Sequence, residues 1–201
     1  MPSLFWAKVG KQSSVISVEW NQTLDPFLIK KLKGIYMTAF LSAHQNIPER
    51  ELGISEIKKK AWLEELFSEE IQTLEKERNI SSFATILVND VTVGFVTCRL
   101  QSNKEIYIKF LAIKPFQPIK SNKKEGALGL GRIAIESIES RFPDFESITL
   151  ETHRTNRNAQ GFYEHLGFKR TDPPCGDEKN YIGYRKPISV PLLIDHIKLL
   201  P

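Results

Sequence analysis

Three glycines, Gly126, Gly129 and Gly131, stand within six residues, and Arg132 follows at once. Glycines before a helix let backbone approach a ligand closely, and the first amides of the helix point at an anion. Between Lys104 and Arg132 lie seven basic residues (Lys104, Lys109, Lys114, Lys120, Lys123, Lys124 and Arg132) against two acidic ones, Glu105 and Glu125. The whole chain carries a formal charge of only +4. Its basicity is therefore local, which suits a small polyanion such as a nucleotide better than nucleic acid. Farther on, Ala159, Phe162, Tyr163 and Leu166 share one helical face, so Tyr163 reads either as a core residue or as a proton donor. His153 ends a strand pattern and belongs to the side-chain type that titrates near neutrality. Such a histidine is more often a half-exposed strand end, and His44, His165 and His196 read as surface residues. Cys98 and Cys175 are the only cysteines, too few for a disulfide scaffold or a structural zinc site, and no metal is expected. Cys175 sits in the rigid turn Pro173-Pro174-Cys175-Gly176 with no activating neighbour.

Three readings of the glycine loop compete. Gly129-x-Gly131-x-x-Ala134 matches the dinucleotide fingerprint, with Glu151 about where an acid meets a ribose. That fingerprint wants its first glycine directly after a strand, whereas a Lys-rich loop separates Ile113 from Gly129. Gly126-x-x-Gly129-x-Gly131 instead matches the pyrophosphate loop of acyl-CoA enzymes. The third reading is a helix start that needs small residues for packing.

The surrounding elements must position these residues. With 201 residues the chain is long enough for one domain with a proper core. A strand is expected over Ser13 to Trp20. Asp25-Pro26 reads as a helix start, with Leu28, Leu32, Ile35 and Ala39 on one face. Residues 43–53 read as a loop, and a second helix carries the stripe Leu63, Phe67, Ile71 and Leu74. Ser82 to Val88 and Val91 to Leu100 read as a hairpin turning at Asn89-Asp90, with Gly94 marking a bulge or a close approach. Glu105 to Ile113 is a strand, and the glycines open a helix carrying Leu130, Ala134, Ile138 and Phe142 at four-residue steps. Ser147 to His153 is a strand and Asn156 to Leu166 a helix closed by Gly167. Phe168 to Thr171 and Tyr181 to Lys186 are short strands. The order β-α-α-β-β-β-α-β-α-β-β is a mixed α/β (α+β) domain. A single domain is expected over 1–201, with its core at 13–187 and an apolar tail at 188–201.

The string Asn156-Arg157-Asn158-Ala159-Gln160-Gly161-Phe162-Tyr163-Glu164-His165-Leu166-Gly167-Phe168 resembles the second signature of the GNAT superfamily of N-acetyltransferases. The strand Phe110-Leu111-Ala112-Ile113-Lys114-Pro115 with the glycine loop resembles its first signature, and the element order resembles the family's. The resemblance implies a central, mostly antiparallel mixed sheet whose strands four and five splay around acyl-CoA. It implies that the pantetheine arm pairs with backbone at Leu111, Ala112 and Ile113. The pyrophosphate then rests at Gly126, Leu128, Gly129, Leu130, Gly131 and Arg132. Asn156 bonds the pantetheine, Ala159 leaves it room, and Tyr163 protonates the departing thiolate. The activity implied is transfer of an acetyl group from acetyl-CoA to a primary amine by direct attack in a ternary complex. The alternatives are a non-catalytic acyl-CoA-binding module and, more remotely, an NAD-dependent oxidoreductase.

Amine attack on a thioester needs a neutral amine, a donor for the developing oxyanion and a proton for the thiolate. A strand N–H and a tyrosine hydroxyl supply the last two. The base is open between Glu105, Tyr107 and a water relay. Gly126 stands where the family usually has Arg or Gln, and Lys123, Lys124 or Arg132 are candidates to replace that charge. The family's acceptor site maps to residues 43–53 and Thr171 to Asn180, where Glu49, Glu51, Asp177 and Glu178 are candidate contacts for a cationic amine. The tail packs on its own domain or serves as the arm of a homodimer. No apolar run is long enough for a membrane helix, and neither a membrane nor a nucleic-acid partner is expected. The start of the chain lacks a signal-peptide core, so a cytoplasmic protein is expected.

Overall fold

A computed structural model describes residues 3–9, 12–20, 23–44, 55–114 and 129–188. Asp25 opens helix α1 (Pro26–His44), accepting from the Leu28 N–H at 2.9 Å. Helix α2 (Glu56–Lys76) follows. Leu63, Phe67, Ile71 and Leu74 are all buried on its inner face, each contributing about 1.5–3 kcal/mol. Strands β3 (Ser81–Val88) and β4 (Val91–Leu100) form the expected hairpin. Asn89 and Asp90 take φ of 48° and 64°, as a two-residue turn of the primed type requires. Strand β5 (Glu105–Ile113) is antiparallel to β4, and β6 (Ser147–His153) lies parallel to β5. Between them in sequence comes helix α3 (Leu130–Arg141). Helix α4 (Arg157–His165) is followed by Gly167 at φ 88°, then β7 (Lys169–Thr171) and β8 (Tyr181–Pro187).

The first described element is a strand where none was expected. Strand β1 (Ser3–Val9) pairs antiparallel with β2 (Gln12–Trp20). The sheet thus has eight strands in the order β1-β2-β3-β4-β5-β6-β8-β7. Among the described pairings only β5 with β6 is parallel, so this is a mostly antiparallel mixed sheet. A dinucleotide fold needs successive parallel βαβ units, and that architecture is not this one.

Two cores flank the sheet. Helices α1 and α2 cover one face through Leu32, Tyr36, Phe67, Phe83, Phe95 and Phe110. Helix α3 covers the other through Ile133, Ala134 and Ile138, which pack with Val96, Ile106 and Ile148. Gly131 allows α3 to approach α4, since a Cβ there would lie 2.6 Å from Phe162. Packing therefore explains this glycine without any ligand.

Strand β5 changes its facing partway along. Thr97 pairs with Phe110 but Cys98 pairs with Ile108, leaving Lys109 as an extra residue. Ile106 and Ile108 consequently join the α3 core, while Phe110 and Ala112 join the α1/α2 core. One inserted residue reverses which face each later side chain occupies. Gly94 is both a bulge site and a close approach. The β3–β4 register shifts beside it, and a Cβ on Gly94 would lie 2.9 Å from the Ala112 carbonyl.

Candidate active site

Pairing between β5 and β6 ends at Ile108 with Leu150. Both strands continue, β5 to Ile113 and β6 to His153, so they splay from the Lys109 bulge onward. Beyond that point one backbone edge of β5 has no neighbouring strand among the described residues. A cavity of about 260 Å³ occupies the gap. Leu111 lines it from β5, Asn156, Ala159 and Tyr163 line it from α4 and its N-cap, and Tyr36, Phe40 and Trp62 line it from α1 and α2.

Tyr163 reaches the cavity from α4 while its ring packs against Phe162, Phe168 and Tyr184 at centroid distances of 5.2, 5.6 and 5.7 Å. Its ring thus packs against the α3-side core while the residue also lines the cavity. Burial raises its pKa well above the ordinary tyrosine value, so the hydroxyl holds its proton. Asn156 is the N-cap of α4, its Oδ1 accepting from the Ala159 N–H at 3.1 Å. That leaves the side-chain N–H groups as the donors it can offer a ligand. Ala159 lines the wall beside it.

The two residues considered as bases fare differently. Glu105 is not among the cavity-lining residues. Its carboxylate pairs with Arg185 at 2.6 Å and accepts from the Ser147 hydroxyl at 3.4 Å. Tyr107 does line the cavity, and its hydroxyl donates to Glu151 Oε1 at 3.2 Å. Burial, with the Glu151 charge adding to it, raises the Tyr107 pKa. That makes it a hydrogen-bond donor rather than a proton acceptor.

Among the described residues the carboxylate that lines the cavity is Glu151, considered from sequence only as a ribose contact. Its Oε2 accepts from the Cys175 N–H at 3.0 Å, so both oxygens are held. A signal for it existed. Ile148 and Leu150 lie in the α3 core, and strict alternation turns Thr149, Glu151 and His153 to the opposite face. His153 is 5% exposed and lines the cavity, a correction to the half-exposed strand end expected of it. The Thr155 amide donates to its Nδ1 at 3.3 Å and the Thr155 hydroxyl lies 2.8 Å from the same atom. The amide can only donate, so Nδ1 is the acceptor in that bond. Tyr36 and Tyr181 complete the polar part of the wall.

Gly129 takes the left-handed conformation, φ 61°, at the N-cap of α3. Leu130, Gly131 and Arg132 form the first turn, whose N–H groups lack intrahelical acceptors. Arg132 is exposed and faces a smaller depression of about 110 Å³ with His165 and Lys186. Ala112 and Ile113 follow Leu111 on β5, and Ala112 is fully buried. Gly126, Leu128, Lys120, Lys123, Lys124, Glu49 and Glu51 lie outside the described residues, as does the tail from 189 onward. Asp177 and Glu178 do not line the cavity. The Asp177 carboxylate accepts from the Asn180 side chain at 2.8 Å and backbone at 3.2 Å, and these bonds lower its pKa. Cys175 is exposed, and desolvation raises its thiol pKa, which leaves it a weak nucleophile. Among the described residues no group of three or more His, Cys, Asp or Glu is placed to hold a metal ion. No described helix is long and apolar enough to cross a membrane.

The sequence matches the acetyltransferase (GNAT) family over residues 45–168. None of the curated proteins compared matches it. Among solved structures, the PaiA N-acetyltransferase of Thermoplasma acidophilum in complex with coenzyme A is 20% identical, with a TM-score of 0.62 over 85% of this chain and 99% of that one. An acetyltransferase from Thermus thermophilus is 16% identical, with a TM-score of 0.59 over 85% and 96% of the two chains. One from Streptococcus agalactiae is 20% identical, with a TM-score of 0.56 over 86% and 98%. The fold is shared with all three.

Proposed function

The chain belongs to the acetyltransferase (GNAT) family, and from that premise we propose that it moves an acetyl group from acetyl-CoA to a primary amine. The observation that carries this reading is the splayed β5–β6 gap. It sets a protonated tyrosine, Tyr163, and a held carboxylate, Glu151, in one cavity. Two further features fit acyl-CoA. The β5 backbone edge beyond Ile108 matches an extended amide-bearing arm, and the left-handed Gly129 with the first turn of α3 offers N–H groups to a pyrophosphate. Backbone at Leu111, Ala112 and Ile113 would hold the arm. The Asn156 amide would donate to it, and Ala159 would leave it space. Gly129, Leu130, Gly131 and Arg132, with Gly126 and Leu128 before them, would hold the phosphates.

Acetyl-CoA supplies an activated acyl carbon and a thiolate leaving group. The chain's residues then divide the work. Glu151 takes the proton from the incoming ammonium, while Tyr107 and the Cys175 amide fix its carboxylate. The amine nitrogen bonds to the acyl carbon as the carbon–sulfur bond breaks. A β5 backbone N–H stabilises the negative charge that develops on the carbonyl oxygen. Tyr163 gives its proton to the sulfur. Direct attack of this kind needs both substrates bound together, which a cavity lined by α4 on one side and α1 and α2 on the other permits.

The test is thiol release from acetyl-CoA in the presence of primary amines, with mass spectrometry of the amine. Thiol release that requires the amine, and an amine that gains one acetyl group, are the expected results. Acetyl-CoA that binds but is never consumed with any amine would leave an acyl-CoA-binding module instead. Cys98 adds little background to a thiol reagent, because burial pushes its pKa up to about 12.

A further inference from the structure

Glu151 is held from beyond its own strand by a turn, and the path of that turn depends on one glycine. Glu151 on β6 stands directly across from Gly183 on β8, and Gly183 stands across from Thr171 on β7. Residues directly opposite in an antiparallel pair share a face, so Gly183 lies on the face from which Glu151 enters the cavity. A Cβ on Gly183 would overlap the Asp172 carbonyl group, whose carbon would lie 2.6 Å away, and would lie 2.7 Å from Thr171 Oγ1. The chain leaving β7 therefore crosses β8 through the space a side chain would fill.

Three residues beyond Asp172, the same segment presents the Cys175 N–H to Glu151 Oε2 at 3.0 Å. The path between is stiff. Pro173 and Pro174 have fixed φ, and the Gly176 N–H closes the turn on the Pro173 carbonyl at 2.8 Å. Farther along, the Arg154 side chain donates to the Glu178 carbonyl at 2.6 Å and ties the segment down. Two residues suffice to join antiparallel neighbours, whereas residues 172–180 take a longer route that meets Glu151.

We infer that Gly183 is a positioning residue for the transfer: its missing Cβ lets the 172–176 turn cross β8 and hold the Glu151 carboxylate in the orientation that takes the ammonium proton. This rests on the transfer reading above, with Glu151 as its base. Tyr107 holds Oε1 and the turn holds Oε2, so both ends of the carboxylate are pinned. Displacing the turn releases one end and lets the carboxylate rotate away from the amine.

The first readout needs no acceptor. Cys98 and Cys175 are the only cysteines, so nitrogen-15 cysteine labels two amides, and Cys98→Ala identifies the Cys98 resonance. Glu151→Gln is expected to shift the Cys175 amide resonance in otherwise wild-type protein and to leave it unmoved in the Gly183→Ala background. The second readout is kinetic, with whichever of n-butylamine, spermidine, Nα-acetyl-lysine and kanamycin is acetylated fastest. Gly183→Ala is expected to lower kcat/KM at neutral pH by roughly 10- to 100-fold, the effect of a small misplacement at the reacting centre. The loss is expected to shrink as pH rises, and acetyl-CoA affinity is expected to hold. In the Glu151→Gln background the same substitution is expected to cause little further loss, because the two act through one group. If Gly183→Ala fails to fold, one glycine inserted between the exposed Pro174 and Cys175 displaces the amide and is expected to give the same signatures. A Cys175 resonance that ignores Glu151→Gln, full kcat/KM in the folded variant, or an equal fold-loss in both backgrounds overturns the assignment. Full kcat/KM in Glu151→Gln alone, or acetylation of none of the amines, overturns the transfer reading itself, which is a different failure.

Discussion

Tyr163→Phe is expected to lower kcat by roughly 100-fold or more, the usual contribution of a positioned general acid. Acetyl-CoA affinity and the melting temperature are expected to hold. The ring supplies the packing against Phe162, Phe168 and Tyr184, and phenylalanine keeps it. Only the proton is lost. The sign of the pKa shift matters here. A tyrosine donates in its neutral form, which is present below its pKa, and burial moves that pKa up. The wild-type acid therefore stays competent beyond the ordinary tyrosine value of about 10. Ionisation of Tyr163 should produce no alkaline limb in the wild-type kcat profile below that point. Single-turnover kinetics with a saturating amine would measure this. An unchanged kcat in the variant would return Tyr163 to the core and leave the thiolate to find its proton elsewhere.

Glu151→Gln is the second large effect. At neutral pH kcat/KM is expected to fall roughly 100-fold, because the incoming amine is then mostly ammonium and its proton has nowhere to go. Glutamine keeps the shape and one acceptor oxygen, so either the Tyr107 or the Cys175 hydrogen bond can persist. The diagnostic feature is the pH dependence. An alkylamine with a pKa of about 10 arrives increasingly neutral as pH rises, so the gap between wild type and variant should narrow. A ratio that stays constant with pH would mean that Glu151 positions the acceptor without taking its proton. Glu105 gives the control. It is held by Arg185 at 2.6 Å and does not line the cavity, so Glu105→Gln should not show this narrowing.

The parts of the fold that could be read in advance were those with local chemistry. Asp25-Pro26, Asn89-Asp90 and Gly167 each impose a backbone geometry on their own, and the structure uses all three. The helix stripes were equally legible, because Leu63, Phe67, Ile71 and Leu74 repeat at helical spacing and are all buried. The Lys109 bulge could not be read. Strand β5 alternates through Glu105-Ile106-Tyr107-Ile108-Lys109 and then runs apolar through Phe110-Leu111-Ala112-Ile113. Past Lys109 no polar residue alternates with the apolar ones, so the pattern there does not register an inserted residue. The bulge nevertheless sits where the β5–β6 pairing ends and thus where the cavity begins.

The candidate site was legible in the same uneven way. Leu111, Asn156, Ala159 and Tyr163 were assembled from the family resemblance, and all four line the cavity. Glu151 was visible as a residue but not as a neighbour of Tyr107, since that contact spans 44 positions in sequence. Strand β1 was the plain omission, because the aromatic and apolar run Leu4-Phe5-Trp6 fits a strand.

The most direct test of the central claim is thermal unfolding with acetyl-CoA and, in parallel, with NADH. At a ligand concentration about a hundredfold above its dissociation constant, linkage adds about 2.7 kcal/mol. For a chain of this size that is roughly 5–10 °C. A rise of that size with acetyl-CoA and none with NADH is the predicted result. No rise at saturating acetyl-CoA, or a rise with NADH alone, would contradict the acyl-CoA reading of the β5–β6 gap.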